Sequence, residues 1–283
     1  MRGIHCRCFL AIIVFSATVA ATSTQALAEE ESLTGLDTFK LEAGVFLPAI
    51  DSNLKIKSKS IGEGTGIDLE NDLGFDDTIS IGRVGGYWRF AKRHRLNFGY
   101  YGFNRDASKE IEEQIVIDDK VFDVGAELKS TWDLDFIYAD YAYSFFQGRQ
   151  WELSASIGLY WLSNTITLKG TGSISGEEVV EKELTEKSSV DLPVPLFGLT
   201  AEYYFTPKWR ALIGVNYFTI SLDEWDGSLL QCNANLEYLF HRYFGIGAGF
   251  YYFDADVERN TSTKVTNLDY TYNGVQVYGI WHF

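Results

Sequence analysis

Three short acidic groups could serve general acid–base chemistry: Asp133 with Asp135, Asp223 and Glu224 with Asp226, and Asp254 with Asp256. A spacing of two places both carboxylates on one face of an extended strand. Hydrolysis at such acids needs a histidine or an activated nucleophile within hydrogen-bond reach. The four histidines are His5, His94, His241 and His282, and the elements that carry them decide whether any can meet an acid. The run DLENDLGFDD (68–77) has acidic spacing reminiscent of a Ca²⁺ loop but lacks the closing Glu of a twelve-residue loop, so it reads as a solvated acidic loop. Gly245, Gly247 and Gly249 in GIGAGF imitate a nucleotide loop, yet their spacing puts them on one strand face, where they make room. Spacing alone thus assembles no catalytic, metal or cofactor site.

Composition bounds the fold that must hold these residues. The 283 residues include 7 Trp, 17 Tyr, 20 Phe and 26 Gly but only 4 Pro and 1 Met, a balance that favours strands. The net charge of −15 excludes a nucleic-acid partner, which requires a basic footprint. Residues 1–28 read as a secretory signal peptide: Arg2 and Arg7, an apolar stretch from Cys8 to Ala21, and a small-x-small end at Ala26-Leu27-Ala28. Residues 29–283 form the mature domain, in which Cys232 is the single cysteine and is read as an apolar strand residue.

The mature sequence alternates. In WELSASIGLYW, Trp151, Leu153, Ala155, Ile157, Leu159 and Trp161 share one face; Glu152, Ser154 and Ser156 share the other. LLQCNANLEYLF, WRALIGVNY and FKLEAGVFL divide the same way. The apolar faces are long enough for the ~9–11 residues a tilted strand needs to cross a bilayer. Aromatics stand at their ends, and the opposite faces carry charges that a dry sandwich core would not hold cheaply. A closed transmembrane antiparallel up-and-down β-barrel, all-β, with lipid outside and a polar interior, satisfies these features. The turns mark strands near 38–47, 76–91, 94–108, 128–147, 150–170, 188–206, 208–223, 225–241, 243–260 and 263–283. Ten strands are expected, with eight or twelve as alternatives, and Pro193 and Pro195 should make one strand start irregularly. Short connections at 91–94, 147–150, 206–209 and 241–243 alternate with longer, mostly acidic ones at 104–130 and 168–190.

A narrow barrel is filled by its own side chains. The inward residues predicted to form a lumen charge network are Lys40, Glu42, Arg83, Arg89, Asp140, Glu152, Glu202, Arg210 and Glu237. Mixed signs point to paired charges forming a polar plug, with a narrow channel for small solutes as the alternative.

The signal peptide, the repeated hairpins and the terminal Trp281-His282-Phe283 together resemble a Gram-negative outer-membrane β-barrel protein of the small OmpA-like or porin-like kind. The resemblance implies a cell outer-membrane location with both termini and the short turns periplasmic. It also implies contact with outer-membrane lipid and lipopolysaccharide, and handling by periplasmic chaperones and the barrel assembly machinery, which reads Trp281 and Phe283. On that topology His94, His241 and His282 lie at the periplasmic end, away from the rim acids, and His282 should face a solvated lumen mouth. The expected function is therefore a non-enzymatic structural or surface-interaction barrel without cofactor. A porin-like channel is the alternative, and an outer-membrane hydrolase is a further one.

Overall fold

The computed structural model describes residues 37–283 apart from 59–65, 77, 111, 113–114, 118–119, 123–124, 126, 175–181, 223–224 and 263. The signal-peptide reading of 1–28, and the acids Asp223 and Glu224, lie outside the described residues. Ten long strands run in chain order with three short ones between them. They are β1 Phe39–Ser58, β2 Gly66–Asp68, β3 Ile81–Ala91, β4 His94–Glu110, β5 Ile115–Ile117, β6 Lys120–Phe122, β7 Glu127–Gln147, β8 Trp151–Ile174, β9 Lys182–Thr206, β10 Trp209–Leu222, β11 Trp225–His241, β12 Phe244–Asn260 and β13 Lys264–His282. No helix occurs among the described residues.

Every long strand pairs antiparallel with the next long strand, and β13 returns to β1 with Lys40 opposite His282 and Leu41 opposite Trp281. The sheet closes into a ten-stranded up-and-down barrel. The N–H groups of Thr38 and Phe39 donate to the Phe283 carbonyl, so the start of β1 and the chain's last residue share one end. The tight turns at 92–93, 148–150, 207–208 and 242–243 lie at that same end.

Alternation explains the wall, but its sense reverses part-way up. Across three paired strands the outward row Tyr100–Ile137–Trp161 marks the boundary. Toward the short-turn end, outward rows are apolar (Leu96–Tyr141–Ile157, Phe98–Ala139–Leu159) and inward rows polar (Asn97–Asp140–Gly158). Beyond the boundary the outward rows become Asn104–Asp133–Thr165 and Asp106–Thr131–Thr167. The inward rows there become Tyr101–Phe136–Leu162 and Arg105–Trp132–Ile166. The apolar outward run of β7 (137–145) or β8 (151–161) matches the span of a bilayer crossing. The whole of β8, at ~3.3 Å per residue and ~40° tilt, rises ~60 Å, more than twice the ~25 Å apolar band. The strands therefore extend well past the band on the side opposite the short turns.

That extension corrects several expectations. β1 continues to Ser58 and β9 begins at Lys182, so the half away from the short turns is built from prolonged strands as much as from loops. Its interior is mainly apolar: Ile50, Trp132, Phe136, Ile166 and Phe253 belong to one buried cluster, with Arg105 buried among them. Within 68–76 the run is only partly solvated, with Asn71, Asp72 and Asp76 exposed. Leu69 and Leu73 are fully buried and Phe75 nearly so, because the turn after β2 folds into the barrel mouth. Pro193 and Pro195 do not interrupt β9, whose ladder to β8 passes through Pro193↔Trp161 and Pro195↔Leu159. On its other edge β9 pairs with β10 only from Phe197 onward, so both prolines sit where no second described neighbour needs an N–H.

Candidate functional site: the lumen charge chain

The membrane-level interior has two layers. The lower one is an alternating chain of buried charges contributed by seven strands. Arg83 Nη2 lies 2.8 Å from Glu42, and Lys40 Nζ bridges Glu42 (2.6 Å) and Glu237 (2.7 Å). Glu237 accepts from Arg210 Nε (3.0 Å), whose Nη1 reaches Glu202 (3.3 Å). Glu202 pairs with Arg95 (2.5 Å), Arg95 approaches Glu152 at 4.0 Å, and Arg89 donates to both Glu152 oxygens at 2.9 and 3.1 Å. The order of charge is strictly plus, minus, plus from Arg83 to Arg89. Lys40, Glu152, Glu202 and Glu237 are each no more than 1% exposed. Ions so buried persist only when each is paired and further hydrogen-bonded, which Tyr278 does for Glu237 (3.0 Å) and Tyr204 for Glu202 (3.2 Å).

Asp37, just before β1, closes the mouth beneath this chain. Its carboxylate lies 3.6 Å from Arg210, 3.2 Å from His282 Nδ1 and 3.3 Å from the Tyr87 hydroxyl, while its carbonyl accepts from Arg89 Nε. Burial alone would raise the Asp37 pKa, but the adjoining His282 ring and the Arg210 charge outweigh it and hold the carboxyl well below the usual carboxylate range. His282 is buried against Asp37 rather than facing a solvated mouth.

Above the chain lies a polar cavity of about 180 Å³, whose lining includes Asn97, Asp140, Asn216, Gln231, Asn235 and Gln276. Small inward residues create the space: Tyr138 lies over Gly99 and Tyr278 over Gly247, where a Cβ at either glycine would clash. Over the cavity sit the aromatic core and the turn after β2.

Eight of the nine inward residues named from the sequence stand in the ion-pair chain. Asp140 does not; it accepts from Asn97 at 2.7 Å in the cavity wall. Sequence reasoning missed Arg95 and Asp37. Arg95 stands two residues before Asn97 on an inward face and was legible from β4's alternation; Asp37 precedes the strand, where period-2 reading has no grip. Trp281 and Phe283 face outward, Phe283 being 66% exposed to the lipid side. His94 and His241 border the short turns. Among the described residues no group of three or more His, Cys, Asp or Glu side chains converges as a metal site.

No protein-family model matches the sequence, and no curated protein matches it. Among solved structures, the outer membrane protease OmpT from Escherichia coli superimposes over 92% of this chain and 100% of its own, at TM-score 0.54 and 10% identity. The fold is that of an outer-membrane β-barrel. OprG from Pseudomonas aeruginosa (89% of this chain, 100% of its own, TM-score 0.36, 12% identity) and the Pseudomonas putida toluene transporter TodX (87% and 90%, 0.33, 9%) are more distant matches. At 10% identity the OmpT likeness shows the outer-membrane barrel architecture and not an activity. In this barrel the charge chain sits at the short-turn end, the polar cavity lies next to it, and the apolar core lies beyond the cavity.

Proposed function

We propose that this barrel is a non-enzymatic, non-conducting outer-membrane protein that acts through its outer surface, with both termini and the short turns periplasmic. One observation carries the reading: the lumen is closed at two levels. The charge chain closes it from Arg83 to Arg89, and the cluster around Trp132, Phe136 and Phe253, capped by Leu69 and Leu73, closes it beyond the membrane. A solute would have to part buried ion pairs and an apolar core in succession, and each step is costly. The orientation rests on the prolonged strands and acidic connections, which suit the external side of such barrels. The placement of His94, His241 and His282 at the short-turn end gives the outer acids Asp133, Asp135, Asp254 and Asp256 no described imidazole partner, which supports the non-enzymatic reading. Trp281 and Phe283, turned outward on the last strand, are the residues offered to the barrel assembly machinery, with lipopolysaccharide and lipid as the surrounding partners.

Reconstitution into planar bilayers tests this. The expected result is silence at physiological voltages. Discrete, reproducible conductance steps would replace it with the narrow-channel reading.

A further inference from the structure

At the outer mouth, one carboxylate of the chain is held as a bound ligand would be. Glu70 accepts from Arg105 Nη1 (3.0 Å) and Nη2 (3.1 Å), from the Ser52 N–H (2.9 Å) and from Ser52 Oγ (2.8 Å). Arg105 is 4% exposed, and its guanidinium lies beside two rings set edge to face, Phe75 (5.0 Å) and Trp132 (5.2 Å). Its Nη2 also donates to the Asp76 carbonyl, yet its buried Nε has no partner. Beside Glu70, Leu69, Leu73 and Phe75 fill a space walled by Trp132, Phe103 and Tyr270. The seated group is thus one carboxylate attached to an apolar body.

We propose that the outer mouth is a binding site for small apolar monocarboxylates, of benzoate or short fatty-acid type, and that Glu70 with Leu69, Leu73 and Phe75 is an internal occupant which such a ligand displaces. The exchange keeps charge balanced, since a buried guanidinium always needs an anion and the ligand supplies one as Glu70 swings into water. A guanidinium can present Nε and Nη2 as a parallel pair to one carboxylate, a geometry that would satisfy the donor Glu70 leaves unused. The aromatic walls suit a flat apolar body. An internal competitor lowers apparent affinity by the fraction of time the site is free, so removing its carboxylate must tighten binding. The site goes beyond the function proposed above and stands whether or not the lumen conducts.

The test uses the full barrel in lipid nanodiscs with 4-bromobenzoate, whose bromine quenches a neighbouring indole; Trp132→Phe assigns the signal to Trp132. Saturable quenching is expected in the unaltered protein, at least ~10-fold tighter in Glu70→Gln. It should vanish in Arg105→Gln, and be absent with the neutral 4-bromobenzyl alcohol. Should Arg105→Gln fail to fold, Arg105→Lys, which keeps the charge but loses the fork, should weaken binding. Quenching that does not saturate, that the alcohol matches, or that survives Arg105→Gln or Arg105→Lys unchanged would overturn the proposal.

Discussion

The two halves of this barrel obey opposite rules with one strand geometry. On β8, Trp151 to Trp161 turn apolar side chains outward while Glu152, Ser154 and Ser156 turn in. Eight residues beyond Trp161 the outward residue is Lys169, and the inward ones passed on the way are Leu162, Asn164, Ile166 and Leu168. The period of two never breaks; only the solvent changes. In lipid the wall must be apolar, so polar groups retreat inside and pair. In water the wall can be polar, so the interior is released to pack as an ordinary apolar core. The barrel is a membrane protein below Trp161 and resembles a soluble barrel above it.

The difference can be broken most strongly from inside. Trp132→Ala removes a buried indole, its 2.6 Å hydrogen bond to Asn164 and the face on which Arg105 stacks. It should cost about 3–5 kcal/mol, and equilibrium urea unfolding in vesicles measures it. Limited proteolysis of that variant should cut the outer half while the membrane half stays protected. Glu237→Gln acts on the other interior by leaving Lys40 and Arg210 without their shared anion. It should fall at the lower end of about 3–5 kcal/mol, because the amide retains a partner in Tyr278. On the wall, the same residue type should give opposite outcomes eight residues apart. Ile157→Lys should cost about 2–4 kcal/mol in lipid, whereas Thr165→Lys should change stability by less than about 0.5 kcal/mol.

The smallest effect concerns the outer wall. Asp256 stands opposite Asp269, with Asp254 and Glu258 on its own strand and Asp226 on the next. Partial burial and then the facing carboxylates raise the pKa of Asp256, and burial and then Asp254 raise that of Asp269. A raised acid binds its proton more tightly in the folded state. Stability is therefore fullest below the ordinary carboxylate range and falls as pH rises through the raised value. Asp256→Asn should raise the unfolding midpoint slightly at pH 7 and leave it unchanged near pH 3, as a pH series of thermal melts would show.

Much of the lower half is legible in the amino-acid sequence. The lipid face of WELSASIGLYW, the inward charges Lys40, Glu202 and Glu237, and the short turns all follow from period-2 alternation within one solvent. The upper half reads less well for a physical reason. There the polar face is the outward one, so Asp133 and Asp135 read as rim acids and Leu69, Leu73 and Phe75 as part of a solvated loop. A reading that tracks the phase of the alternation through Ile137, where apolar residues move from odd to even positions on β7, finds the boundary. Glu70 is beyond such reading, since its partners Ser52 and Arg105 are brought to it only by the fold.

The most direct test is a single-cysteine scan along β7 in lipid vesicles, positions 127 to 145, with Cys232 replaced by Ala. An environment-sensitive label reports the surroundings of each position. Odd positions 137–145 should report lipid and odd positions 127–135 should report water, while even positions stay shielded throughout. A lipid signal continuing through 133 and 135, or a label at Trp132 as wet as one at Asp133, would contradict the reversal on which this account of the barrel rests.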